Sequence, residues 1–123
     1  MDFRCVALFR ALFLVQQNKD VSFINLVHII QKINHKMKVA VWDTYISKKD
    51  GSIMHFDIIA PEEIKDTSII YNYGEKYLEK KGQAGQPLTT DECRFCHKET
   101  VRPQWKEDIQ KNGYYIYEME NCE

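Results

Sequence analysis

Cys93-Arg94-Phe95-Cys96-His97 is the stretch whose residue types could do chemistry together. Two thiols and an imidazole suit Zn²⁺, and two thiols three apart also suit a redox pair. Local structure decides whether they cooperate. On a strand, Cys93 and Cys96 point to opposite faces and cannot meet one ion. On a helical turn, Cys93, Cys96 and His97 stand at i, i+3 and i+4, on one face. The preceding residues favour the turn. In Leu88-Thr89-Thr90-Asp91-Glu92-Cys93, Thr89 fits an N-cap with Glu92 at N3, and Leu88 with Cys93 forms a hydrophobic staple.

A structural zinc takes four ligands, so His55 or Cys122 must complete the set. The candidate metal residues are therefore Cys93, Cys96, His97, His55 and Cys122, with zinc as the ion. The same string is the literal c-type haem attachment pattern. Haem attachment requires export, and no signal peptide is recognisable, which weighs against haem. Two other readings use the same residues. One is a thiol-redox protein, in which a helix start favours thiolate at the Cys pair. The other is a non-catalytic interaction module whose cysteines are small buried hydrophobes.

A second polar group lies in Ile53-Met54-His55-Phe56-Asp57-Ile58. Alternation puts His55 and Asp57 on one strand face and Met54, Phe56 and Ile58 on the other. A two-residue Asp50-Gly51 turn would pair Ile46 with His55 and Thr44 with Asp57. The resulting Thr44, His55 and Asp57 cluster could act as a general base or orient a ligand. The plain alternative is a solvated sheet face. Asp43 falls on the opposite face in this register, with Val41 and Tyr45.

The elements that must position these residues are well signalled. Val39–Ile46 and Ile53–Ala60 are β-rich runs joined across Asp50-Gly51. Pro61 stops the second. Asp66 or Thr67 caps a helix that runs to Lys81, with Ile70, Tyr73, Tyr77 and Leu78 as its apolar face and Gly82 at C′. Pro103 opens a second helix that Gly113 closes, with Trp105 and Ile109 buried. Tyr114–Met119 is the last strand. Its tyrosines read as sheet packing. The loop 82–87 lacks the ending of a phosphate loop.

Residues 1–36 differ in texture. They carry five basic and two acidic side chains, against 12 basic and 16 acidic in the rest. Arg10 interrupts the apolar run Val6–Val15, and Gln16-Gln17-Asn18 follows where a cleavage site would stand, so a secretory signal does not fit. A membrane span needs roughly 20 apolar residues, which the run does not supply. A membrane-surface helix with Arg4 and Arg10 on its polar side is one reading. Val21–Ile33 has the spacing of a second helix. The preferred reading takes residues 1–36 as an appended leader, of the kind a misassigned start ahead of Met37 would add.

The full chain has 123 residues, 44% hydrophobic and 28% charged, and a net charge of −1. That is the size of one core. The absence of basic excess argues against a nucleic-acid partner.

From Met37 on, the sequence resembles a small bacterial family known as a domain of unknown function, DUF2024. The resemblance rests on Trp42-Asp43-Thr44-Tyr45, Asp50-Gly51, Met54-His55-Phe56-Asp57, Glu92-Cys93-Arg94-Phe95-Cys96-His97, Gly113-Tyr114-Tyr115-Ile116 and Glu118-Met119-Glu120-Asn121-Cys122. It covers nearly all of residues 37–123 and none of 1–36. It implies a compact α+β domain and no established activity, cofactor or partner.

The expectation is a small cytoplasmic α+β domain over 37–123. It has about four strands, opens with a β-hairpin and carries two packed helices in the order ββαβαβ. Its leading function is metal binding of the zinc type at Cys93-x-x-Cys96-His97. Strand order and oligomeric state stay open.

Overall fold

The computed structural model describes residues 25–27 and 37–123. The chain divides into two units, 1–36 and 37–123. Residues 25–27 are helical. The leader, the membrane-surface helix and the remainder of the Val21–Ile33 helix lie outside the described residues.

The second unit runs β1 Lys38–Ser47, β2 Ile53–Pro61, α1 Thr67–Lys80, β3 Cys93–Thr100, α2 Pro103–Asn112 and β4 Tyr115–Glu120. The four strands form one sheet in the order β3-β1-β2-β4, with every neighbouring pair antiparallel. The expected α+β architecture and element order are those observed.

The hairpin sets the register for the whole sheet. Gly51 N–H donates to the Lys48 carbonyl at 3.0 Å, and Lys48 N–H to the Ser52 carbonyl at 2.8 Å. Gly51 has φ of 90°, which a glycine reaches without steric cost. The loop is therefore Lys49-Asp50-Gly51, three residues closing on a left-handed glycine, and not the two-residue Asp50-Gly51 turn. One extra loop residue shifts every pair by one. Tyr45 opposes His55, Thr44 opposes Phe56, and Asp43 opposes Asp57. A one-residue slip exchanges the faces. The expected partners of His55 and Asp57, Ile46 and Thr44, are corrected accordingly.

One face of the sheet carries the main core. Ile46, Met54, Phe56, Ile58 and Ala60 pack with Ile70, Tyr77 and Leu78 of α1, closed by Leu88, Cys93, Tyr114 and Cys122. Phe56 and Tyr77 rings meet at 4.6 Å. Asp66 caps α1 by accepting from Ser68 N–H at 3.0 Å. The helix ends in a Schellman arrangement: Gly82 N–H donates to the Glu79 carbonyl and Gln83 N–H to the Leu78 carbonyl. Gly74 lets the helix come close to the sheet, because a Cβ there would stand 2.5 Å from Leu88 Cδ1 and 3.0 Å from Ile58 Cδ1.

The other face carries a smaller core. Val39, Val41 and Ile59 pack with Val101 and with Trp105 and Ile109 of α2. A ten-residue helix is about 15 Å long, while ten residues of strand run about 33 Å. Helix α2 therefore leaves part of this face open. Asp43, Tyr45, His55, Asp57 and Tyr117 share that face, and none of them is fully buried.

Both edge strands carry a bulge beside this open region. On β3, Trp42 pairs with Phe95 while Val41 pairs with His97, so Cys96 is the extra residue. On β4, Phe56 pairs with Glu118 while His55 pairs with Glu120, so Met119 is the extra residue. Each bulge re-aims the side chains beyond it.

Candidate functional site

The capping box around Thr89 is present. Glu92 accepts from Thr89 N–H at 2.8 Å, and Cys93 N–H donates to the Thr89 carbonyl at 2.9 Å. It makes one turn and stops. Tyr45 N–H takes the Glu92 carbonyl at 2.9 Å, and the chain continues as a strand on the free edge of β1. Helix α1 has an apolar stripe to bury, whereas here Arg94, Phe95, Cys96 and His97 are all exposed. No buried helical face exists to extend the turn, whereas β1 offers a full ladder of backbone partners.

The expected helical placement of the Cys pair is thus corrected. Cys93 is 2% exposed, opposite the fully buried Thr44 in the main core. Burial pushes its thiol above the usual value, against a hydrogen bond with Thr44. Cys96 is exposed on the bulge. The bulge also moves His97 away from the face of Cys93 and Phe95 and onto that of Val41 and Asp57. Cys122 is buried and donates to the backbone carbonyls of His55 at 3.2 Å and Glu120 at 3.3 Å, so it meets the His55 main chain and not its ring. Thr44 is also corrected out of the polar cluster. Its hydroxyl donates to the Trp42 carbonyl at 3.2 Å inside the main core.

What the sheet does bring together is Asp43, His55 and Asp57. One ligand atom from each lies within 4.8 Å of the others, and among the described residues this is the group of that kind. His55 Nε2 donates to Asp43 Oδ1 at 2.6 Å. Tyr45 stacks on the imidazole, with ring centroids 4.0 Å apart and 12° between planes, and fixes its orientation. Burial, then the hydrogen bond and the negative charge of Asp43, push the Asp57 carboxyl up to about 6, against the pull of His55 and His97. Two carboxylates and an imidazole in one corner can hold a shared proton. They can also lose it to solvent when a cation binds, and the cation then neutralises the same repulsion.

Asp57 also lines a cleft of about 250 Å³ together with Val41, Ile59, His97, Glu99, Arg102, Trp105, Tyr117 and Met119. Asp43, Glu99 and Arg102 were missed by the sequence reading. Asp43 needed the hairpin register. His97 and Glu99, two apart on one strand, carried a readable signal: they share a face.

No helix among the described residues is long and apolar enough to cross a membrane. No curated protein is significantly similar to the chain. A structural-genomics target, protein NE1680 from Nitrosomonas europaea, has an NMR structure that is similar at 39% identity and a TM-score of 0.62, covering 71% of this chain and 100% of that one. The family model described as Domain of unknown function (DUF2024) matches residues 37–119, within the unit that carries the sheet and the site, and the chain therefore belongs to the DUF2024 family.

Proposed function

We propose that this domain binds one divalent transition-metal ion through Asp43, His55 and Asp57, with zinc the first candidate. The observation that supports the reading is the convergence of three ligand atoms within 4.8 Å on an open part of the sheet. Bonds of about 2.0–2.2 Å at tetrahedral angles put ligand atoms roughly 3.3 Å apart. The His55–Asp43 contact of 2.6 Å needs to widen by less than 1 Å to reach that spacing. Three protein ligands leave a fourth position for water or a small molecule, and the adjoining cleft supplies room for one. One imidazole nitrogen with two carboxylate oxygens suits Zn²⁺ and other first-row ions better than Ca²⁺.

The zinc reading thereby moves from the cysteines to the hairpin. A cysteine-centred site has less in its favour, because Cys93 sits in the core and Cys96 at the surface. A cytoplasmic setting fits free thiols at Cys93, Cys96 and Cys122.

The test is zinc titration of metal-stripped protein by calorimetry. One equivalent should bind. His55→Ala and Asp57→Asn should each weaken it roughly tenfold or more. The double Cys93→Ser, Cys96→Ser variant should bind as the parent does. Loss of zinc in the cysteine variant alone, or no binding by the parent, would overturn the proposal.

A further inference from the structure

Cys96, His97 and Glu99 form a second line of chemistry that the proposed ion does not use. The bulge at Cys96 turns its exposed thiol toward the next residue, and Sγ lies 3.1 Å from His97 Nδ1. His97 Nε2 donates to Glu99 Oε2 at 2.7 Å. That bond sets the tautomer: with the proton on Nε2, Nδ1 presents its lone pair to the thiol. Glu99 is itself held by Arg102, whose Nε donates at 3.0 Å. Burial pushes the Glu99 carboxyl up, but the bonds from His97 and Arg102 outweigh it and hold the group below the usual carboxylate range. The order is nucleophile, base and orienting carboxylate.

A separate observation points to a ligand beside this line. His97, Glu99 and Arg102 line the cleft of about 250 Å³, and Trp105 forms part of its wall. Trp105 is 2% exposed, and its indole N–H has no hydrogen-bond partner among the described residues. Arg102 stacks on the same indole, with its guanidinium carbon 4.7 Å from the ring centroid. A cation at Arg102 beside the apolar side chains of Val41 and Ile59 suits a small molecule with a carboxylate. The volume admits such a molecule and excludes a folded partner.

We propose that Cys96 is a single-thiol nucleophile, with His97 as its base, for exchange with a small carboxylate-bearing disulfide seated in this cleft. The Cys96 thiol gives its proton to His97 Nδ1. The thiolate attacks one sulfur of the disulfide, the S–S bond breaks, and the leaving thiolate takes the proton from His97. Cys96 is oxidised to a mixed disulfide and one equivalent of small thiol is released reduced. Cys93, buried on the other side of the sheet, does not resolve the adduct, so it persists until an external thiol reverses it. This is not the expected Cys93–Cys96 pair, and it does not rest on the metal proposal.

The experiment uses the full chain carrying Cys5→Ser, with chelator present so that no ion takes part. Oxidised glutathione is the charged probe and hydroxyethyl disulfide the neutral one, with the adduct located by peptide mass mapping. One adduct should form, on Cys96. His97→Ala should slow it by about a hundredfold, the low end of what a positioned base contributes. Arg102→Gln should slow the charged probe more than the neutral one, because the neutral probe loses only the support that Arg102 gives Glu99. Both substitutions are at exposed positions, and unchanged near-ultraviolet dichroism checks the fold. An adduct on Cys93 or Cys122, an unchanged rate in His97→Ala, or equal rates for the two probes in the parent would overturn the proposal.

Discussion

His55 donates to Asp43 at 2.6 Å although the two are not directly opposite on the hairpin. Tyr45 is the residue opposite His55, and Asp57 is opposite Asp43. The bond is a diagonal, and the Tyr45 ring stacked on the imidazole steers it there. The diagonal draws a second carboxylate, Asp57, into contact with the pair.

Metal-free protein should lose stability between about pH 4 and about pH 6. The unfolded Asp57 carboxyl ionises near 3.9, while the folded one holds its proton to about 6. Within that window the unfolded chain sheds a proton that the folded chain keeps, which favours unfolding as pH rises. Asp57→Asn should remove the effect. The variant should melt higher than the parent at neutral pH and equal to it near about pH 4, as read by thermal unfolding with chelator present.

Zinc binding should release a proton below about pH 6, because Asp57 must ionise to become a ligand. The apparent affinity should therefore fall as pH drops through that value. Calorimetry in two buffers of different ionisation enthalpy counts the protons directly. A proton count of zero at about pH 5 would contradict Asp57 as a ligand.

Thr44→Val should leave zinc affinity unchanged, because the Thr44 side chain is buried in the core on the opposite face. Its effect on stability should be about 1 kcal/mol or less, the usual worth of one hydroxyl hydrogen bond. Asp43→Ala should do the reverse and weaken zinc strongly. Paired urea melts and zinc titrations separate the two.

Gly74→Leu should destabilise the domain by about 1–3 kcal/mol, the usual cost of overpacking. Even a methyl there would stand 2.5 Å from Leu88 Cδ1, and Leu88 is itself buried. The midpoint of urea unfolding should fall without a change in slope.

Cys96 should react with an aromatic disulfide reagent in the folded protein, while Cys93 and Cys122 should react only when it opens. Cys93 is 2% and Cys122 9% exposed, whereas Cys96 stands at the surface. Thiol counts with and without denaturant, in a Cys5→Ser background, read this out. Fast labelling of Cys93 under native conditions would contradict the strand placement.

Most of the architecture was legible because its signals are local. Asp66, Gly82, Pro103 and Gly113 mark helix ends by the donors they supply or the backbone angles they allow, within a few residues of where they act. The alternation through His55 and Asp57 fixed that these two share a face. The tertiary structure alone decided which neighbours they meet. Asp50-Gly51 announces a turn, but whether the loop holds two residues or three changes the face that Asp43 and Thr44 present, and that choice is made by burying Thr44 with Cys93 rather than a carboxylate. The capping box at Thr89 was read correctly, yet it could not say that the chain would leave the turn at Cys93, because the partners that draw it into a strand are the backbone groups of β1, about fifty residues earlier in the chain. The bulges at Cys96 and Met119 follow the same rule. A bulge is a mismatch in count between two paired strands, so neither strand encodes it alone.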